Sequence, residues 1–290
     1  MNIREYIRDC DKNFSERLKG VADAIASGKD RVICLCGPTC SGKTTAATML
    51  SARLKDYGRD VHVISIDDFY YDRDYLNLLS ERKGLDGIDY DSVDTIDLGA
   101  LGEFVREVFC QEEIHCPVFD FKSGTRVGVR TVKAKETDLF IFEGIQAIYP
   151  QVTELFGPIG YVSVYIAPLR ALSVNGDTVS PNRIRLLRRL VRDSTFRGAN
   201  AEFTLKLWES VRANEEKNIF PFVESCNYKI DSTHDYELGI LRPYLEGLLQ
   251  NFPSDSKYSD KVKEILIQMS AVEPISSALI EGGSLYLEFV

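Results

Sequence analysis

The chain has 290 residues, 44% of them hydrophobic and 27% charged, with a net charge of -9. That balance is ordinary for a globular protein large enough to bury a core, and it argues against disorder and against nucleic acid as the main partner. No apolar run approaches the roughly 18 residues of a membrane span, and the N-terminus MNIREYIRDCDKNF is charged throughout, so a soluble, cytoplasmic protein with no membrane partner is expected.

Residues 2–27 carry Ile3, Tyr6, Ile7, Phe14, Leu18, Val21, Ala22 and Ile25 at helical spacing, which predicts one or two amphipathic helices. Arg31 to Cys36 is a short apolar run that predicts a buried parallel strand. Directly after it, Gly37-Pro38-Thr39-Cys40-Ser41-Gly42-Lys43-Thr44 satisfies the pattern G-x-x-x-x-G-K-[S/T] at every fixed position, and Thr45 to Lys55 reads as a helix. Strand, glycine loop and helix N-terminus together converge backbone N–H groups into a cradle for polyphosphate. Gly37 through Thr45 are therefore the expected nucleotide-binding residues, with Lys43 reaching the outer phosphates and the Thr44 hydroxyl on Mg²⁺.

Val61 to Ile66 predicts a second strand that ends in Asp67-Asp68-Phe69-Tyr70, placing carboxylates at the edge where open parallel sheets bind ligands. Residues 71–95, dense in Asp, Tyr, Arg and Gly, read as a surface loop over that edge. A helix is predicted over 97–110, and 114–121 with 127–134 form a β-hairpin turning near 122–125. Asp138 to Gly144 and Tyr161 to Ile166 predict further buried strands, the first ending in Glu143. From Pro181 the text is helical and basic (NRIRLLRRLVRDSTFRG), followed by a helix over 201–218 and a last core strand over 226–231. Two helices, 235–250 and 256–270, and a short edge strand at 284–290 complete the chain.

Strands alternating with helices predict an α/β doubly wound parallel sheet of the phosphate-loop NTPase type, with a β-hairpin insertion. The expected organisation is a helical extension (1–30), a core (31–235) with a lid near 181–200, and a second helical extension (236–290). Seven cysteines, none in C-x-x-C spacing, read as free thiols of a reducing compartment rather than as zinc ligands.

A phosphate loop alone suits a regulatory GTPase, a motor ATPase or a small-molecule kinase. The nearest approach to the guanine-reading N-K-x-D is Asn227-Tyr228-Lys229-Ile230-Asp231, with a tyrosine inserted, and no L-S-G-G-Q is present. Carboxylates after the second and third strands, with an arginine cluster near 190, fit phosphoryl transfer to a small hydroxylated acceptor.

The order phosphate loop, VISIDDFYYD, PVFDF, DLFIFEGI and RLLRRLVRDSTFRG resembles the uridine kinase and phosphoribulokinase family of P-loop kinases over roughly residues 31–235. The run from RLVRD through FRGANAEFTLKLWESV to EEKNIFPF is most similar to the bacterial uridine-kinase-like domain often found after a TGS domain, although no TGS domain is present in this chain. The resemblance implies an ATP- and Mg²⁺-dependent kinase of a small-molecule hydroxyl acceptor, the 5′-hydroxyl of uridine or cytidine being the simplest. By it, Asp67 matches the general base, Tyr70 the aromatic beside it, and Asp91 the aspartate that holds ribose hydroxyls. Glu143 matches a residue that orders Mg²⁺, and Arg189, Arg192 and Arg197 match the lid and acceptor-site arginines, Arg192 and Lys43 acting on the transferred phosphoryl group. Read without the resemblance, Asp67, Asp68 and Glu143 also suit helix caps, Asp91 a solvated loop, and the arginines a solvated helix face.

The acceptor side departs from the family pattern. Phe119 stands where nucleoside kinases have the tyrosine of Y-D-F, Gly124 where they have a base-reading histidine, Ala199 at the second arginine of R-G-R, and Leu207 at a ribose-holding glutamine. A pocket that lacks a hydrogen-bonding partner loses the discrimination that partner supplies. Another sugar or polyol acceptor therefore stands as the alternative, and a nucleotide-binding regulatory protein without acceptor chemistry as the reading from another class. A homo-oligomer is compatible with these features, as is either ATP or GTP as the phosphoryl donor.

Overall fold

The computed structural model describes residues 2–85, 87–110 and 113–290. The chain opens with a single helix, α1 (Ile3–Ser27), started by a capping box between Asn2 and Glu5 and burying Ile7, Cys10, Phe14, Leu18, Val21, Ala22 and Ile25. Then follow β1 (Val32–Cys36), α2 (Lys43–Lys55), β2 (Val61–Ser65), α3 (Arg73–Arg82), α4 (Leu98–Val108), the hairpin β3 (Glu113–Asp120) and β4 (Thr125–Lys133), β5 (Leu139–Glu143) and α5 (Pro150–Phe156). The second half adds β6 (Tyr161–Ala167), a small hairpin β7 (Leu172–Val174) and β8 (Asp177–Val179), α6 (Pro181–Arg197), α7 (Ala201–Asn218), α8 (Phe220–Val223), β9 (Tyr228–Asp231), α9 (Glu237–Leu249) and α10 (Ser259–Ser270).

The central sheet is wholly parallel, in the order β2-β5-β1-β6-β9. Every residue of β1 is buried, and the pleat sends alternate side chains to opposite faces. Val32, Cys34 and Cys36 join Phe140, Phe142, Phe104 of α4 and Phe156 of α5 on one face. Ile33 and Leu35 join α1, α2 and Ile240 of α9 on the other. Helices thus cover both faces, which is the doubly wound arrangement. A third apolar cluster holds α6, α7, α9 and α10 together around Leu187, Trp208 and Leu245. All seven cysteines are free.

Two expectations are corrected. Residues 71–95 are not simply a loop, because α3 lies within them: Leu76 and Ser80 face inward one turn apart, a helical spacing that the surrounding charged residues obscure. The segment 284–290 is not an edge strand but a 3₁₀ turn over Leu285–Glu288. Its buried apolar residues are Leu285, Tyr286 and Phe289 while Leu287 is exposed, whereas a strand would have put 285, 287 and 289 on one face. The β7–β8 hairpin lies outside every expected strand. Its Asn175-Gly176 turn has positive φ at both residues (48° and 89°), the conformation for which Asn-Gly is the strongest short-range signal.

Candidate active site

The phosphate loop leaves the carboxyl end of β1, between the two neighbours β5 and β6. At Gly37 the backbone passes so close to β6 that a Cβ would lie 2.2 Å from the Ile166 carbonyl oxygen. Cys40 and Gly42 have φ of 58° and 91°, which turn the loop into the start of α2. Gly42 caps that helix with no side chain, so the first-turn N–H groups have no side-chain cap competing for them. Lys43 Nζ donates to the carbonyls of Gly37 (2.8 Å) and Pro38 (3.3 Å), closing the loop on itself.

This loop floors a cleft of about 710 Å³. Thr39 to Thr44 line one side, Glu143 and Gly144 the end of β5, and Asp67, Tyr70, Tyr90 and Asp91 the opposite wall. Arg189, Arg192 and Arg197 of α6 reach it from above. The expected residues that do not line it are Gly37 and Pro38, which contribute carbonyls to Lys43, Thr45, which faces the tail, and Phe119. Phe119 is buried behind Tyr70 and Phe121, edge-on to both at 5.6 and 5.3 Å.

The two adjacent aspartates part ways, and neither caps a helix. Asp67 turns into the cleft, while Asp68 accepts a hydrogen bond from the Phe119 N–H of β3 at 3.2 Å. Burial, then the neighbouring charge of Glu143, pushes the Asp67 carboxyl up to about 6, with the Tyr70 hydroxyl and Lys43 pulling the other way. Burial and then Asp89 raise Asp91 to about 6 as well. Glu143 accepts from Ser65 Oγ at 2.9 Å across β5 and β2. Thr44 and Glu143 are hard oxygen donors on one cleft. They suit Mg²⁺, which takes one or two protein oxygens and completes its octahedron with water and phosphate oxygens. Among the described residues no cluster forms an all-protein metal cage.

Several residues that shape this wall were not singled out from sequence. Gln146, fully buried, donates to the Tyr70 hydroxyl (3.0 Å) and to the Tyr90 carbonyl (2.7 Å), and Tyr149 donates to the Asp91 carbonyl (2.9 Å). They hold the Tyr90-Asp91 segment to the stretch that follows β5. No local signal marks them, since they follow Glu143 in an apolar run. Asp193 was legible. Its carboxylate collects Arg189 (3.1 Å), Arg192 (3.0 Å) and Arg197 (3.4 Å), and 189, 193 and 197 repeat every four residues on one helical face.

The basic stretch is not a solvated face. Arg185 and Arg188 are fully buried, donating to the loop carbonyls of Thr39 (3.0 Å) and Cys40 (3.3 Å) and pairing with Glu215 and Glu237. At the β3–β4 turn, Gly124 has φ of 75°, and a Cβ there would fall 2.5 Å from Arg73 Nε, so the turn leaves no room for a side chain.

A family model described as the phosphoribulokinase / uridine kinase family matches residues 32–238. A uridine kinase of Ureaplasma urealyticum serovar 10 is 27% identical over 179 residues, covering 62% of this chain and 76% of that one. A uridine kinase of Lactobacillus johnsonii is 29% identical over 173 residues, covering 59% and 71%. The solved structure of the YGR205w protein shares the fold, with a TM-score of 0.50 at 19% identity over 70% of this chain and 83% of that one. No helix among the described residues is long and apolar enough to cross a membrane.

Proposed function

Since this chain belongs to the phosphoribulokinase and uridine kinase family, we propose that it is an ATP- and Mg²⁺-dependent kinase of a small hydroxylated metabolite, the 5′-hydroxyl of a pyrimidine nucleoside being the first acceptor to test. The observation that carries the reading is the meeting of Asp67 with Lys43, Thr44, Glu143 and the α6 arginines in one cleft. Asp67 accepts the proton of the acceptor hydroxyl as its oxygen attacks the γ-phosphorus, and the bond from that phosphorus to the bridging oxygen breaks to release ADP. A carboxyl held near 6 is ionised at neutral pH yet basic enough to take that proton. Lys43 and Arg192 neutralise charge on the transferred group, and Arg189, Arg197, Tyr70 and Asp91 orient the acceptor. Thr44 and Glu143 would hold Mg²⁺, which would supply charge neutralisation when bound.

Residues 31–235 are the kinase core in this reading, with the lid near 181–200. Within it, Arg185 and Arg188 pin the first half of α6 to the phosphate loop, which leaves the 189–200 part to close over the cleft. A sugar or polyol acceptor is the second reading, favoured by Gly124, where a base-reading side chain has no space. A screen of ATP consumption over nucleosides, pentoses and polyols tests both. Turnover with uridine or cytidine supports the first, and turnover with a polyol alone supports the second. ATP binding without turnover on any acceptor would leave a nucleotide-binding regulatory protein.

A further inference from the structure

Residues 284–290 take no part in the chemistry above, yet they reach the phosphate loop. Leu285 is buried against Gly42 so closely that a Cβ on that glycine would lie 2.3 Å from Leu285 Cδ1. The Tyr286 hydroxyl accepts from Arg188 Nη2 at 2.8 Å, and the Arg188 guanidinium lies over the Tyr286 and Phe289 rings at 5.3 and 5.2 Å. These contacts deliver Glu288 to the first turn of α2, where the Thr45 hydroxyl donates to its carboxylate at 3.0 Å. Glu288 is half-buried, lines the same cleft as Lys43, and adds its charge to the field around Arg192.

A carboxylate at a helix N-terminus is electrostatically favourable. Here that terminus is also the one a polyphosphate requires. We propose that Glu288 is an internal phosphate surrogate, an anion of the chain's own tail that occupies Thr45 and must leave it when a nucleoside polyphosphate binds. The Thr45 hydroxyl has one proton to donate, so it cannot serve Glu288 and a phosphate oxygen through the same bond. Two anions at one helix end also repel, so Glu288 lowers nucleotide affinity and sets the concentration at which the donor site fills. Tyr286 stays anchored by Arg188, which confines the movement to the Glu288 side chain and its exposed neighbour Leu287.

The inference rests on donor-nucleotide binding at the loop and is independent of the acceptor. Its test is the affinity of the full chain and of Glu288→Gln for MgADP and for adenosine, measured by titration calorimetry. Glutamine keeps the size and removes the charge; Glu288→Ala replaces it should the first variant fold poorly. Binding of MgADP is expected to tighten roughly three- to tenfold, the range of a partly buried charge at a helix N-terminus, with adenosine unchanged because it carries no phosphate. Unchanged or weaker MgADP binding overturns the proposal, and so does an equal gain for adenosine, which would make the tail a wall of the nucleoside site. If neither protein binds MgADP, the kinase reading falls with it; if only the variant binds, both stand.

Discussion

Asp67 turns into the cleft beside the phosphate loop. Its partners, Lys43 and Glu143, come from distant stretches of chain, and its raised carboxyl is a product of burial among them. Asp67→Asn should lower turnover by roughly a hundred- to ten-thousandfold, the range of a positioned general base, with MgADP affinity nearly intact. Equal loss of both in paired kinetics and calorimetry would make Asp67 a metal or structural group. In wild type, kcat/KM should fall about tenfold per pH unit below about 6, as the base protonates. Stability carries the opposite sign. A carboxyl raised in the folded state binds more protons there than in the unfolded chain, so its charge costs stability as pH rises from about 4 to about 6. Asp67→Asn should therefore raise Tm by roughly 5 °C at pH 7 and by nothing below pH 4, as thermal melts at the two values would show.

Among the elements, α6 is the one whose role depends most on its surroundings. Its arginines divide along the helix: Arg185 and Arg188 go inward to the phosphate loop, while Arg189, Arg192 and Arg197 nearer the C-terminal end share Asp193 at the cleft. A basic helix read as text cannot reveal that division, because it depends on Glu215 and Glu237 arriving from α7 and α9. Asp193→Asn should release the cleft arginines from one another and lower kcat about ten- to a hundredfold, a misplacement effect. A wild-type kcat in steady-state kinetics would show that the arginines need no common anchor. The misread elements have equally specific causes. In α3 two inward residues are outnumbered by exposed charged ones, and the tail is apolar enough for a strand but buries its residues at 285, 286 and 289.

For the molecule as a whole, Arg188 is the joint. One guanidinium holds the phosphate loop at Cys40, the end of β9 at Ser232, α9 at Glu237 and the tail at Tyr286. Arg188→Gln would leave Glu237 buried without its counter-charge, and breaking such a pair costs on the order of 3–5 kcal/mol. Urea denaturation should show that loss, accompanied by weaker MgADP binding since the Cys40 carbonyl is released. A variant as stable as wild type would mean that neighbouring hydrogen bonds suffice for Glu237.

Short stretches of the chain specify the phosphate loop, the parallel strands beside it and the acids that end two of them. Those features are local: glycine spacing, buried apolar runs and the residue directly following a strand are all read within a few positions. Tertiary packing alone sets which aspartate of the pair faces the cleft, how the arginines divide, that Gln146 and Tyr149 brace the cleft wall, and that Glu288 lines it. Each of those depends on groups far apart in sequence whose hydrogen bonds and charges act only once the sheet has brought them together.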